Sequence, residues 1–348
     1  AQGVIGVVLL QNIAGLLDEP APTNRRDDVV TQHHDFGRLP QPGQSGLDLI
    51  RRQAGLLCDQ SGIQRNSAVQ RLQHDLLGSP PLQQFQRPLV QRVVDEADQI
   101  YHLAAAVGVA LIAREPIQTI ERNIYPTQLL LNKVRSRVAG GESVKVFLAS
   151  TSEVYGKNPK PLWDEDDDLV FGATTKARWS YGASKAIDEF LALACWRQSQ
   201  VPVVIGRFFN VVGPRQSGAY GMVLPRFVAA ARSGKPLVVH DDGHQVRCFA
   251  HVQDVIATVM ALMAEPRAVG RVFNIGSDYP ISILELAQRV VRISGSRSGI
   301  EFQSYTDAYD RDFEDVRRRV PNLARVRDTI EYQPVYDLDG IIRQLVES

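Results

Sequence analysis

Apolar residues gather in short runs at 99–103, 144–149, 203–207 and 272–275, each bounded by polar or turn-forming positions. Continuous apolar runs of this length read as strands buried on both faces of a parallel sheet. Between them, the stretches 184–197, 224–233, 252–264 and 283–294 repeat apolar residues at helical spacing. Strand alternating with helix predicts an α/β fold, a doubly wound parallel sheet covered by helices on both sides. No internal repeat is visible. The acidic run at 164–168 reads as a solvated loop.

The pattern changes near residue 95. The first hundred residues contain no lysine, tryptophan or tyrosine and are rich in glutamine. With 348 residues the chain can bury a sizeable core, as one large domain or two smaller ones. Its formal net charge is zero, so no global basic field points to nucleic acid. The apolar stretch 4–10 is too short to span a membrane, which argues against a membrane protein. Cys58, Cys195 and Cys248 lie far apart and fit neither a disulfide framework nor metal-ligand spacing. That usage suits a reducing cytoplasm and no metal. The chain opens on Ala1 rather than methionine, so a few residues are expected ahead of it.

Candidate chemistry centres on Ser150-Thr-Ser-Glu-Val-Tyr-Gly156 followed by Tyr181-Gly-Ala-Ser-Lys185. Four residues apart on a helix, Tyr181 and Lys185 share one face. A free tyrosine has a pKa of about 10 and is a poor base at neutral pH. A neighbouring ammonium favours the phenolate. Tyr181 can then take a proton from a hydroxyl, with Thr151 holding the reacting oxygen. Tyr-x-x-x-Lys by itself recurs by chance in many helices; the hydroxyl-rich strand end upstream gives it meaning.

From about Val94 to the C-terminus the chain resembles the extended short-chain dehydrogenase/reductase family, and within it the NAD-dependent nucleotide-sugar epimerases, dehydratases and decarboxylases. The resemblance implies Thr151, Tyr181 and Lys185 as catalytic residues, with Glu153 beside them deciding the fate of the sugar. It implies NAD contacts from Leu103, Ala104 and Ala105 at a strand end, and from Asn123, Ser150, Tyr181 and Lys185. Pro126 stands where the family usually has glycine. For substrate it implies Ser152, Asn210, Val223, Arg247 on the diphosphate, and Arg319 in Arg-Val-Pro321. Taken singly, Arg247 reads equally as an ion pair and Arg319 as part of a basic turn. The NAD-binding domain is expected at 1–210 plus 251–276, and a smaller C-terminal α/β substrate domain at 211–250 plus 277–348. A homodimer is what the family implies.

The family's glycine-rich fingerprint is reduced here to Gly3-Val-Ile-Gly6, which matches its last two glycines and places the first strand ahead of Ala1. Asp75 resembles the acid near adenine; Asp27 and Asp28 sit at the distance of the ribose-binding acid, outside any strand pattern. Residues 7–72 are either divergent or read from a shifted frame.

The implied substrate is a nucleoside-diphosphate sugar, UDP-linked, oxidised to a transient 4-keto form. Ser152-Glu153 replaces the Asp-Glu pair of 4,6-dehydratases, which disfavours dehydration. The run Ser-Thr-Ser-Glu-Val-Tyr-Gly and Arg319 resemble UDP-glucuronate decarboxylases, while Gly218-Ala-Tyr-Gly-Met222 fits a 4-epimerase equally well. A non-catalytic binding remnant is the alternative of another class, motivated by the reduced fingerprint.

Overall fold

A computed structural model of the chain describes residues 6–8, 94–107, 115–216, 218, 222–308 and 314–348. Gly3, Asp27, Asp28, Cys58 and Asp75 lie outside the described residues, as does most of 218–222.

Five parallel strands form the main sheet, in spatial order β1 (Gly6–Val8), β2 (Gln99–His102), β3 (Lys145–Thr151), β4 (Val203–Phe208) and β9 (Arg271–Ile275). The four strands expected from the apolar runs are therefore present, in one sheet. Side chains along β3 and β4 alternate between two packing layers, as the period of two requires. Val146, Leu148, Val203 and Ile205 point towards α1 (Pro116–Ala139) and α2 (Ser180–Ser199), where Leu131, Val134, Ala192 and Cys195 cover them. Phe147, Val204 and Phe273 point the other way, onto Val255, Val259 and Leu262 of α4 (Val252–Ala264). Helices on both faces make the sheet doubly wound, as expected.

Gly6 opens β1 and pairs with Gln99. The expectation that Gly6 belongs to the turn following a strand is corrected: it lies within one.

A second apolar layer gathers β5 (Asn210–Val212), α3 (Val223–Arg232), β6 (Leu237–His240), β8 (Phe249–His251), α5 (Ile283–Ser294) and α8 (Leu338–Glu347) around Leu224, Leu237, Leu286 and Ile341. Ser282 starts α5 by accepting from the Glu285 amide, which satisfies a donor the helix leaves free. Two-stranded pairings complete this part: β6 with β11 (Ile300–Gln303), β7 (Val246–Arg247) with β10 (Ile281–Ser282), and β5 with β8. One segment departs from the expected boundary. Leu323 and α7 (Ala324–Thr329), placed by position in the C-terminal part, pack through Val326 against the main sheet beside Phe273. α6 (Tyr305–Ala308) is a single turn.

Three departures from the sequence pattern have physical causes. The helix α1 continues through Pro126, which cannot donate to the carbonyl a turn earlier. Beside it the Thr127 hydroxyl donates to the Asn123 carbonyl at 2.9 Å. The acidic run is not a solvated loop throughout: Glu165 is buried, and its carboxylate accepts from the Asn274 amide at 2.7 Å. Its neighbours Asp164 and Asp166 meet Arg325, and Asp167 meets Lys160. Finally, residues 317–322 form an extended strap rather than a turn. Val246 accepts from the Arg319 amide at 3.1 Å, and Trp163 donates to the Val320 carbonyl at 2.9 Å.

Candidate active site

The candidate reacting groups sit at the carboxyl end of β3, where α/β sheets open their ligand crevice. Thr151 ends the strand, and the chain turns at once into a short 3-10 segment, Ser152–Tyr155. The Thr151 hydroxyl accepts from the Glu153 amide at 3.2 Å, and it acts to ease ionisation of the Tyr181 phenol. Gly182 allows this approach: a Cβ there would lie 2.5 Å from the Glu153 carbonyl oxygen. The glycine beside Tyr181 thus lets the first turn of α2 press against the turn that carries Glu153.

A cavity of about 390 Å³ opens here. Thr151, Ser150, Ser152, Glu153 and Tyr181 line it, with Leu103 and Ala105 on the side of β2. Asn210, Val223, Arg247 and Arg319 line it from the C-terminal part. The structure therefore brings together most of the residues singled out in the sequence. Ala104, Asn123 and Lys185 are not in the wall. Asn123 is buried behind it, accepting from the Ala106 amide at 2.7 Å and donating to Ser184 at 3.2 Å. It holds the chain leaving β2 against α2.

Charge defines the floor. Glu153 is gripped by two guanidiniums, Arg178 and Arg319, the latter at 2.7 Å. Burial pushes its carboxyl up, but the two arginines outweigh that and hold it at about 2. Arg247 makes two contacts with Asp315, both 2.9 Å. Burial and then the charge of Arg319 bring Arg247 down to about 10. Around the cavity four guanidiniums (Arg178, Arg226, Arg247, Arg319) face two carboxylates (Glu153, Asp315). The wall carries a surplus of positive charge. Among the described residues the Nε atoms of Arg178 and Arg319 are buried without a hydrogen-bond partner.

Burial raises Tyr181 above the usual tyrosine range, the Glu153 charge adds to this, and Thr151 and Arg178 act against it. The ammonium of Lys185, expected to lower Tyr181, contacts Asp188 at 2.7 Å. A buried bidentate contact supports the site from below. Glu189 takes Arg207 at 2.7 Å and also accepts from Ser150, fixing the end of β3 to α2 and β4.

Sequence reasoning missed Arg178, Asp188 and Asp315. Arg178 carried a usable signal, since it lies one helical turn before Tyr181. Asp188 carried none; a helical aspartate ordinarily reads as solvent-facing.

A parallel sheet wound on both faces, with hydroxyl, phenol and lysine at one strand end beside a cationic cleft, defines the class of extended short-chain dehydrogenase/reductase proteins. More narrowly, the chain belongs to the GDP-mannose 4,6 dehydratase family, whose sequence profile matches residues 83–345. It is 37% identical over 268 residues to the UDP-N-acetyl-alpha-D-glucosaminuronate decarboxylase of Bacillus cytotoxicus, covering 77% of this chain and 81% of that protein. It is 31% identical over 273 residues to UDP-glucuronic acid decarboxylase 1 of Arabidopsis thaliana, covering 78% of this chain and 59% of the plant protein's length. Among solved structures it resembles the UDP-glucuronic acid 4-epimerase of Bacillus cereus in complex with UDP-glucuronic acid and NAD. That likeness has a TM-score of 0.65 and 25% identity, over 74% of this chain and 77% of the other.

Proposed function

We propose that this chain is an NAD-dependent decarboxylase of a UDP-linked uronate, working through a transient 4-keto sugar. The observation that carries this is the pair of guanidiniums, Arg178 and Arg319, converging beside Tyr181 and Thr151 on a single carboxylate. A site that holds one carboxylate between two arginines is built for exchange with another.

The residues present suit a nicotinamide at the mouth of the cavity. Leu103 and Ala105 offer small apolar contacts, and the buried ammonium of Lys185 gives one of its three donors to Asp188. Ser150 and Tyr181 line that end with Asn123 behind the wall, while Gly3 and Asp75, implied by the resemblance to contact NAD, lie outside the described residues. NAD, when bound, supplies the hydride acceptor and later the donor for the sugar C4.

Tyr181 takes the proton of the C4 hydroxyl, with Thr151 keeping the oxygen in line. The resulting ketone is β to the C6 carboxylate. Loss of carbon dioxide breaks the C5–C6 bond and moves its electron pair into an enolate across C5, C4 and the oxygen. The Tyr181 phenol and Thr151 hydroxyl donate to that oxygen. Protonation at C5 and reduction at C4 then give a sugar one carbon shorter, with no net redox change. Arg178 and Arg319 hold the uronate carboxylate, and Arg247, Asn210 and Val223 hold the diphosphate and nucleotide. Glu153 and Ser152 border the sugar.

The 4-epimerase neighbour gives the second reading, in which the keto sugar turns over before reduction. Purified protein with NAD and UDP-glucuronate, UDP-N-acetylglucosaminuronate, UDP-glucose or UDP-galactose decides between them. A uronate product lighter by carbon dioxide supports the decarboxylase. An isomer of unchanged mass supports the epimerase, and absence of turnover with every sugar supports the non-catalytic remnant.

We also infer a homodimer. Ile117 and Ile120 of α1, and Ile187 and Phe190 of α2, are exposed apolar residues on two helices packed side by side. A cytoplasmic location is in keeping with the free, buried Cys195 and Cys248. No helix among the described residues is long and apolar enough to cross a membrane.

A further inference from the structure

Lys185 is 2% exposed and Asp188 is fully buried, three residues apart on α2 with Nζ 2.7 Å from Oδ2. Dry ion pairs are costly to assemble, because both charges leave water. A helix that buries such a pair against this cost calls for a use of the pair.

The surroundings of the ammonium are few. From β2 comes His102, buried and held neutral, its pKa brought down to about 3 by burial and then by the Lys185 charge. From α1 comes Thr127, uncharged, 2.9 Å from His102 and among the groups that favour the Asp188 anion. On α2 itself lie Tyr181 and Glu189, and Glu153 acts on Tyr181 from the turn after β3. Among the described residues Asp188 is the carboxylate in contact with Lys185. Its carboxylate accepts a hydrogen bond from one of the three ammonium N–H groups.

We propose that Asp188 is a positioning residue: it anchors the Lys185 ammonium in the dry interior, so that the remaining ammonium protons are presented to the ribose hydroxyls of a bound dinucleotide. The proposal rests on the reading of NAD as the cofactor. Without the carboxylate, a buried ammonium is uncompensated and the neutral amine becomes the favoured form as pH rises. Cofactor affinity then acquires a pH dependence that the native pair suppresses.

The test compares the full-length chain with D188N, K185M and the double variant, all close in shape to the native residues. NAD affinity is measured by calorimetry from about pH 5 to about pH 9, the span over which an uncompensated buried lysine loses its proton. The native protein and K185M should show little dependence on pH. D188N should bind near-normally at the acid end and weaken towards the basic end by up to about tenfold per pH unit, the slope of one linked proton. The double variant should lose that slope. A D188N affinity that is flat, or uniformly lower at every pH, overturns the proposal and leaves Asp188 a packing residue. Thermal melting supplies the second readout: the two single changes should each lower Tm, and the double change should recover part of the loss. Additive losses overturn the pairing. Failure of the native protein to bind NAD at any pH sinks the cofactor reading, and this proposal with it.

Discussion

Replacing Glu153 with glutamine isolates the carboxylate exchange on which the decarboxylase reading turns. The side chain keeps its shape and loses its charge, leaving Arg178 and Arg319 without their shared anion. Both guanidiniums are largely shielded, with 6% and 15% side-chain exposure, so water compensates little. Removing one partner of a buried ion pair typically costs about 3–5 kcal/mol. At roughly 2–4 °C per kcal/mol for a chain of this order of size, Tm should fall by about 10 °C. A uronate ligand brings the missing charge back. UDP-glucuronate should therefore stabilise E153Q more than it stabilises the native protein, whereas UDP-glucose, equal in shape but without the carboxylate, should not show the difference. Differential scanning fluorimetry with both nucleotides reads this directly. Equal stabilisation of E153Q by the two sugars would refute the exchange, and an unchanged Tm without ligand would refute the strength assigned to the clamp.

Tyr181→Phe should keep its far-UV circular dichroism and lose turnover by about 10²–10⁴-fold, the usual contribution of a general base; unaltered kcat sinks that assignment. Gly182→Ala drives a methyl to 2.5 Å from the Glu153 carbonyl oxygen, so α2 must shift. About 1–3 kcal/mol of stability, the usual cost of overpacking, and most of the activity should go with it, as denaturant melts and kcat would show. Acid titration tests the clamp by sign. Glu153 is depressed from 4.5 to about 2, so its contribution is fully present above about pH 4.5 and is lost as pH falls towards 2. In E153Q this part of the acid-induced loss of stability should be absent.

Much of the fold was legible because parallel strands buried on both faces leave unbroken apolar runs, and all four expected strands lie in the one sheet. Thr151, Tyr181 and Glu153 were legible because they sit on local structure, a strand end and the first turn of a helix. What escaped was set by partners distant in sequence. The acidic run reads as solvated until Arg325 and the Asn274 amide arrive from more than a hundred residues away. The partner of Lys185 is only three residues along, yet its burial arises from the packing of α1 on α2, which no helical pattern encodes. Gly6 was misjudged because a glycine inside a strand and one in a turn after it look alike in a short apolar stretch.

The route of the chain has a consequence for anyone who would dissect the protein. After β4 it leaves the main sheet, returns for α4 and β9, leaves again, and comes back once more as α7 before ending in α8. Arg319 rides on the strap between these last crossings, pinned to Val246 on one side and flanked by Val320, which meets Trp163, on the other. No single cut separates the main sheet from the second apolar layer. During synthesis the cleft stays unfinished until Arg319 emerges, so a ribosome-bound chain that already displays Thr151 and Tyr181 still lacks the arginine that completes the anion grip.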